Sequence, residues 1–64
     1  MTYRTNGYVI HVCEPNDFET EYEVQASKTV RGGRTLFAHA RHERLEVAEA
    51  QAVADLRKRI QTRA

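Results

Sequence analysis

Three histidines and one cysteine are the side chains of this sequence best suited to hold a metal ion, and strand-like alternation puts His11, Cys13 and His39 on one face. Imidazole and thiolate are both ordinary zinc ligands. In a simple antiparallel meander, however, the strand carrying His11 is separated from the strand carrying His39 by another. Two steps of about 4.8 Å leave roughly 9.6 Å between them, too far for ligands that must each lie about 2 Å from one ion. His39 and His42, three apart on a strand, point to opposite faces. The spacing therefore predicts no metal site and no cofactor.

The second chemically suggestive group is cationic. Arg31-Gly32-Gly33-Arg34 contains the arginine-glycine-glycine triplet of disordered RNA-binding segments, and Arg57, Lys58, Arg59 and Arg63 are positioned to neutralise phosphates. Each group also has a plain structural role. Two glycines between strands make a hairpin turn, and cations in the last turns of a helix match its macrodipole. Catalytic constellations are lacking. Ser27 is the sole serine and lies in mid-strand, no glycine-rich phosphate loop is present, and Glu21 with Glu23 is an ordinary pair on a solvated strand. The expectation is a chain that is not an enzyme and takes no small-molecule substrate.

Length restricts what can position these residues. Sixty-four residues support one hydrophobic core, and a domain of this size buries only about 60% of the surface that its unfolded chain exposes. With 41% hydrophobic and 30% charged residues the composition is that of a folded globular protein. Small cores are usually reinforced by disulfides, metals or a partner subunit. A lone Cys13 excludes an intrachain disulfide, which makes self-association a candidate and points to a cytoplasmic location. The opening residues have no apolar signal region and no apolar stretch exceeds three residues, as in Tyr8-Val9-Ile10, so neither a signal peptide nor a membrane span is expected. A net charge of +1 conceals an asymmetry. Residues 1–30 carry Arg4 and Lys28 against five acids, hence −3, whereas residues 31–64 carry eight cations against four acids, hence +4.

Hydrophobic periodicity supplies the elements. Gly7 to Cys13 alternates Tyr8, Ile10 and Val12 with Val9, His11 and Cys13, and Thr20 to Val30 alternates Tyr22, Val24 and Ala26 with polar residues. Both read as strands with one wet face, joined by a turn at Glu14-Pro15-Asn16-Asp17. Gly32-Gly33 then marks a hairpin into a third strand from Thr35 to His42. A three-residue loop pairing Arg31 with Thr35 sets Val30 opposite Leu36, Ala26 opposite Ala40 and Val24 opposite His42, which keeps apolar residues together. From Leu45 to Gln61 the chain has few helix breakers. Its residues Leu45, Ala48, Ala52, Val53, Leu56 and Ile60 form one apolar stripe at helical spacing. Glu46 and Glu49 near its start and Arg57, Lys58 and Arg59 near its end suit the macrodipole, and Asp55 can pair with Arg59. No serine, threonine or aspartate offers an N-cap.

The predicted fold is thus α+β: a three-stranded antiparallel β-β-β meander with one C-terminal amphipathic helix packed on one face, forming a single domain over residues 1–64. Residues 1–6 are either a flexible segment or, through the hairpin dipeptide Asn6-Gly7, a short extra strand from Thr2 to Thr5. The order Tyr3-Arg4, Gly7-Tyr8, Ile10, Tyr22, Val24, a glycine hairpin, then Ala48, Ala52 and Ile60 resembles small uncharacterised proteobacterial β-β-β-α proteins. The resemblance implies this fold over most of the chain and supplies no catalytic residues. Family members often close the helix with isoleucine-aspartate, where this chain has Ile60-Gln61, and the transcription-related labels of some relatives favour a nucleic-acid role.

A helix of this length covers one side of the sheet, through Tyr8, Ile10, Val12, Tyr22, Val24, Ala26, Leu36, Ala38 and Ala40. The other side holds an uncovered aromatic, Phe37, with Val9, His11, His39 and Arg41 beside Glu21 and Glu23. An exposed apolar group on an open face marks a partner surface. The expected function is a protein–protein interaction module, a homodimer, adaptor or inhibitor, acting through Val9, His11, Phe37, His39 and Arg41. The alternative is a nucleic-acid-binding accessory protein using Arg31, Arg34, Arg57, Lys58, Arg59 and Arg63.

Overall fold

Alternation of apolar and polar residues is realised in four strands rather than three. The computed structural model describes residues 1–62, in the order β1 (Thr2–Thr5), β2 (Tyr8–Cys13), β3 (Tyr22–Thr29), β4 (Thr35–His42) and α1 (Leu45–Thr62). The strands form one antiparallel sheet in chain order, β1-β2-β3-β4. The extra strand is made by Asn6 and Gly7, whose φ angles of 49° and 84° supply the left-handed conformations that a tight hairpin needs. Pairing of Thr2 with His11 and of Thr5 with Tyr8 follows, and Met1 completes the edge: its carbonyl accepts the Val12 N–H at 2.8 Å.

The hairpin between β3 and β4 has the expected three-residue loop but a register displaced by two residues. Ala26 faces Ala38 rather than Ala40, Val24 faces Ala40 rather than His42, and Lys28, not Val30, faces Leu36. The reason is local. Gly32 and Gly33 both take positive φ, 93° and 82°, and the Gly33 N–H donates to the Val30 carbonyl at 3.1 Å. Gly32 thus occupies the third position of a turn that requires positive φ there, which makes Arg31-Gly32-Gly33 the loop and closes it with the Val30 N–H donating to Arg34. A shift of two preserves side-chain parity, so both faces keep their predicted residues.

The core lies between sheet and helix. Tyr8, Ile10, Val12, Val24, Ala26 and Ala38 from the sheet meet Ala48, Ala52 and Leu56 from α1, all buried, with Leu45, Val53 and Ile60 packed beside them. Alanines at 26, 38, 48 and 52 let helix and sheet approach closely. The connection Glu43–Arg44 is too short for anything but a fold-back, so α1 runs antiparallel to β4 and lies over β3 and β4. Its start is capped without a conventional N-cap residue. His42 Nδ1 accepts the Arg44 N–H at 3.0 Å, the Arg44 carbonyl accepts the Ala48 N–H, and Arg44 in turn holds Glu46 at 2.7 Å. Among the described residues no helix is long and apolar enough to cross a membrane.

Candidate functional site

Strand register places the open-face residues in rows. Thr29 and Thr35, whose hydroxyls meet at 3.1 Å, form the row nearest the β3–β4 hairpin; Arg4, Val9, Ser27 and Phe37 form the next; Thr2, His11, Gln25 and His39 form the third; Cys13, Glu23 and Arg41 form the fourth. Glu21 lies just before β3 and belongs to none of them. The five residues expected to form a partner surface therefore do share one face. Phe37 is 46% exposed, His11, His39 and Arg41 are exposed, and Val9 is half-buried.

This face is a mosaic rather than an apolar sheet. Val9 and Phe37 stand two strands apart with Ser27 between them, roughly 9.6 Å by strand spacing. Polar order surrounds them. Thr2 Oγ1 meets His11 Nδ1 at 3.0 Å, and the Arg41 guanidinium bridges Glu19 at 3.6 Å and Glu23 at 3.5 Å. His11, Cys13, Glu23, Gln25 and His39 line a shallow depression of about 80 Å³, well below the ~300 Å³ of a typical small-molecule pocket. Among the described residues no three histidine, cysteine, aspartate or glutamate side chains are grouped to hold a metal ion. Nor does any buried side-chain polar atom there lack a hydrogen-bond partner.

The charges are sorted along the long axis of the molecule. Principal extents of 40 × 19 × 18 Å follow the strands and the helix, since eight strand residues and eighteen helical residues each span about 27 Å. The β1–β2 turn, the β3–β4 hairpin and the C-terminal end of α1 lie at one end. It gathers Arg4, Lys28, Arg31, Arg34, Arg57, Lys58 and Arg59 against Asp55, which pairs with Arg59 at 3.6 Å. At the other end lie Glu14, Asp17, Glu19, Glu21, Glu23, Glu43 and Glu46, with Arg41 and Arg44 held among them by Glu19, Glu23 and Glu46, while Glu49 lies nearer the middle against Tyr3. Arg63 lies outside the described residues.

Two sequence-remote groups thus become one surface: the Arg31–Arg34 hairpin and the Arg57–Arg59 helix end. Sequence reasoning missed Arg4 and Lys28 as members, although strand parity and chain direction imply their place. Lys28 Nζ stands 5.0 Å from the centroid of the Tyr8 ring, and a Cβ on Gly7 would lie 3.8 Å from it. Phe18 was also missed. It is 98% exposed at the acidic end, in a loop held by Asn16 Oδ1, which accepts the Phe18 and Glu19 N–H groups at 2.8 and 2.9 Å.

Comparison with protein-family models, with curated proteins and with solved structures finds no match to this chain. Geometry alone supports the functional reading.

Proposed function

We propose that the chain is a non-enzymatic protein–protein interaction module whose docking surface is the open sheet face, with Val9 and Phe37 as apolar contacts and His11, His39 and Arg41 as the polar surround. The observation that carries this reading is Phe37, an aromatic left 46% exposed on a face over which α1 does not lie. A mosaic of separated apolar contacts and charges fits a protein partner of mixed character better than a lipid or a small molecule. A cytoplasmic location belongs to the same reading, resting on the single exposed thiol of Cys13. A photo-crosslinking residue at position 37 should give partner adducts in cells that are absent when the same group replaces exposed Gln51 on the helix, and the adducts formed from position 39 should disappear in Phe37→Glu. Indistinguishable adduct patterns from the two faces would overturn it.

A second reading is favoured by one observation of its own, the convergence of Arg31, Arg34, Arg57, Lys58 and Arg59 with Arg4 and Lys28 at one end. Such a cluster attracts phosphate backbones with strong salt dependence. Fluorescence titration with single- and double-stranded DNA and RNA at low salt tests it, with Arg31→Glu/Arg34→Glu as control. No binding at about 100 μM, the weak limit of non-specific affinity, ends this reading.

A further inference from the structure

We propose that the free edge of β4 pairs antiparallel with β4 of a second copy of this chain, about a two-fold axis through Ala38. This surface is distinct from the open face and does not depend on the reading given to that face. Among the described residues no strand pairs with β4 on the side away from β3. The Val30 N–H donates to the Arg34 carbonyl, and pairing alternates from there, so Leu36, Ala38 and Ala40 exchange hydrogen bonds with β3. Thr35, Phe37, His39 and Arg41 consequently direct their N–H and C=O groups outward. The strand is eight residues long and contains no proline and no lysine, and its one arginine, Arg41, is engaged by Glu19 and Glu23, so little on it blunts the edge. The opposite edge, β1, has four residues and offers half the length.

The second copy is selected by register and by charge. With Ala38 on the axis, Leu36 meets the partner's Ala40 on the helix side, while Phe37 meets the partner's His39 and Thr35 the partner's Arg41 on the open side. The overlap gives about eight backbone hydrogen bonds by the antiparallel ladder rule. Moving the axis to His39 would set Leu36 against the partner's His42 and leave about six ladder bonds within β4 instead of eight. Because the pairing is antiparallel, the basic end of each copy lies beside the acidic end of the other: Gly33, next to Arg34, comes opposite the partner's Glu43, and Arg34 opposite the partner's His42. Each α1 lies over β3 and β4, so the two helices run antiparallel about 10 Å apart, an ordinary helix-packing distance. The two open faces then join into one eight-stranded surface.

Sedimentation velocity on the whole chain, with amide hydrogen exchange on the same sample, tests the pairing. The expected result is a dimer whose dissociation constant rises about tenfold or more between 0.05 and 1 M salt, as screening removes the end-to-end attraction. The Phe37, His39 and Arg41 amides should be protected in proportion to dimer. His39→Pro removes one outward N–H without touching the ladder to β3, and should be monomeric with an unchanged circular dichroism spectrum. A monomer at about 0.5 mM, far above the affinity of specific interfaces, with those amides exchanging freely overturns the proposal. So does a dimer that survives in folded His39→Pro. If that variant fails to fold, protection of the three amides in the natural chain decides. A dimer abolished by Phe37→Glu yet retained in His39→Pro assigns self-association to the open face instead.

Discussion

The Tyr3 hydroxyl donates to Glu49 Oε1 at 2.7 Å across 46 residues of sequence, tying β1 to α1 over the core. Burial, the hydrogen bond itself and the nearby Glu49 charge, in that order, push the Tyr3 pKa up to about 12. The folded state therefore holds this proton more tightly than the unfolded chain, whose tyrosine titrates near 10. Stability from the contact is complete below pH 10 and is lost as pH rises through the range from 10 to about 12. Phenolate absorbance should show a step near pH 12 that is missing from Tyr3→Phe. Loss of one part-buried hydrogen bond to a charged acceptor should cost that variant about 1.5–3 kcal/mol in urea unfolding near neutral pH.

Leu56 is the side chain through which the helix commits to the sheet. It is fully buried, as are Ile10 and Val24 opposite, and alanines elsewhere in the interface leave few large groups to share the load. Leu56→Ala should cost about 2–5 kcal/mol. A domain under 70 residues has only about 3–5 kcal/mol from its core, so the variant should be substantially unfolded at 25 °C by circular dichroism. An unchanged thermal midpoint would contradict the packing described.

The β3–β4 hairpin isolates a backbone effect. A Cβ on Gly32 or Gly33 would meet nothing within 4 Å, so the cost of alanine at either position comes from positive φ alone, about 1–2 kcal/mol. Gly33→Ala should show that loss, and D-alanine at the same position should recover it. Equal stability of the L and D variants would rule out the left-handed conformation.

These two glycines also mark the limit of what the sequence discloses. Alternation in Tyr8–Cys13 and Tyr22–Thr29 and the stripe from Leu45 to Ile60 specify strands, helix and both faces, because burial imposes period 2 or 3.6 on the residues. Register within the hairpin depends on which two positions take positive φ, and a Gly-Gly pair fits a three-residue loop in more than one frame. Thr2–Thr5 carries a single apolar residue, Tyr3, so nothing but Asn6-Gly7 announces a strand whose pairing energy lies in its backbone. The open-face residues Val9, His11, Phe37, His39 and Arg41 could be grouped from parity alone. The sorting of charge into two ends could not, since Arg4 and Lys28 join Arg57–Arg59 only once strand direction and helix fold-back are known.

The start of α1 should be acid-sensitive. Glu46 accepts its own backbone N–H and a charged hydrogen bond from Arg44, and these hold its carboxyl below the usual glutamate range. A depressed folded-state pKa contributes stability that is present above the unfolded value and lost as pH falls through the folded one. Acidification below about pH 4.3, the free glutamate value, should therefore fray the first turn. Amide exchange at Ala48, whose N–H makes the first helical hydrogen bond, should accelerate on lowering the pH, relative to the intrinsic rate, more than exchange at Leu56. Glu46→Gln should remove most of that difference, because a neutral amide still accepts a hydrogen bond but carries no charge to lose. His42→Ala tests the other half of the cap: without the Nδ1 acceptor for the Arg44 N–H, the first turn should open at neutral pH as well, at a cost of about 0.5–2 kcal/mol. A first turn equally protected in both variants would place the cap elsewhere in the connection.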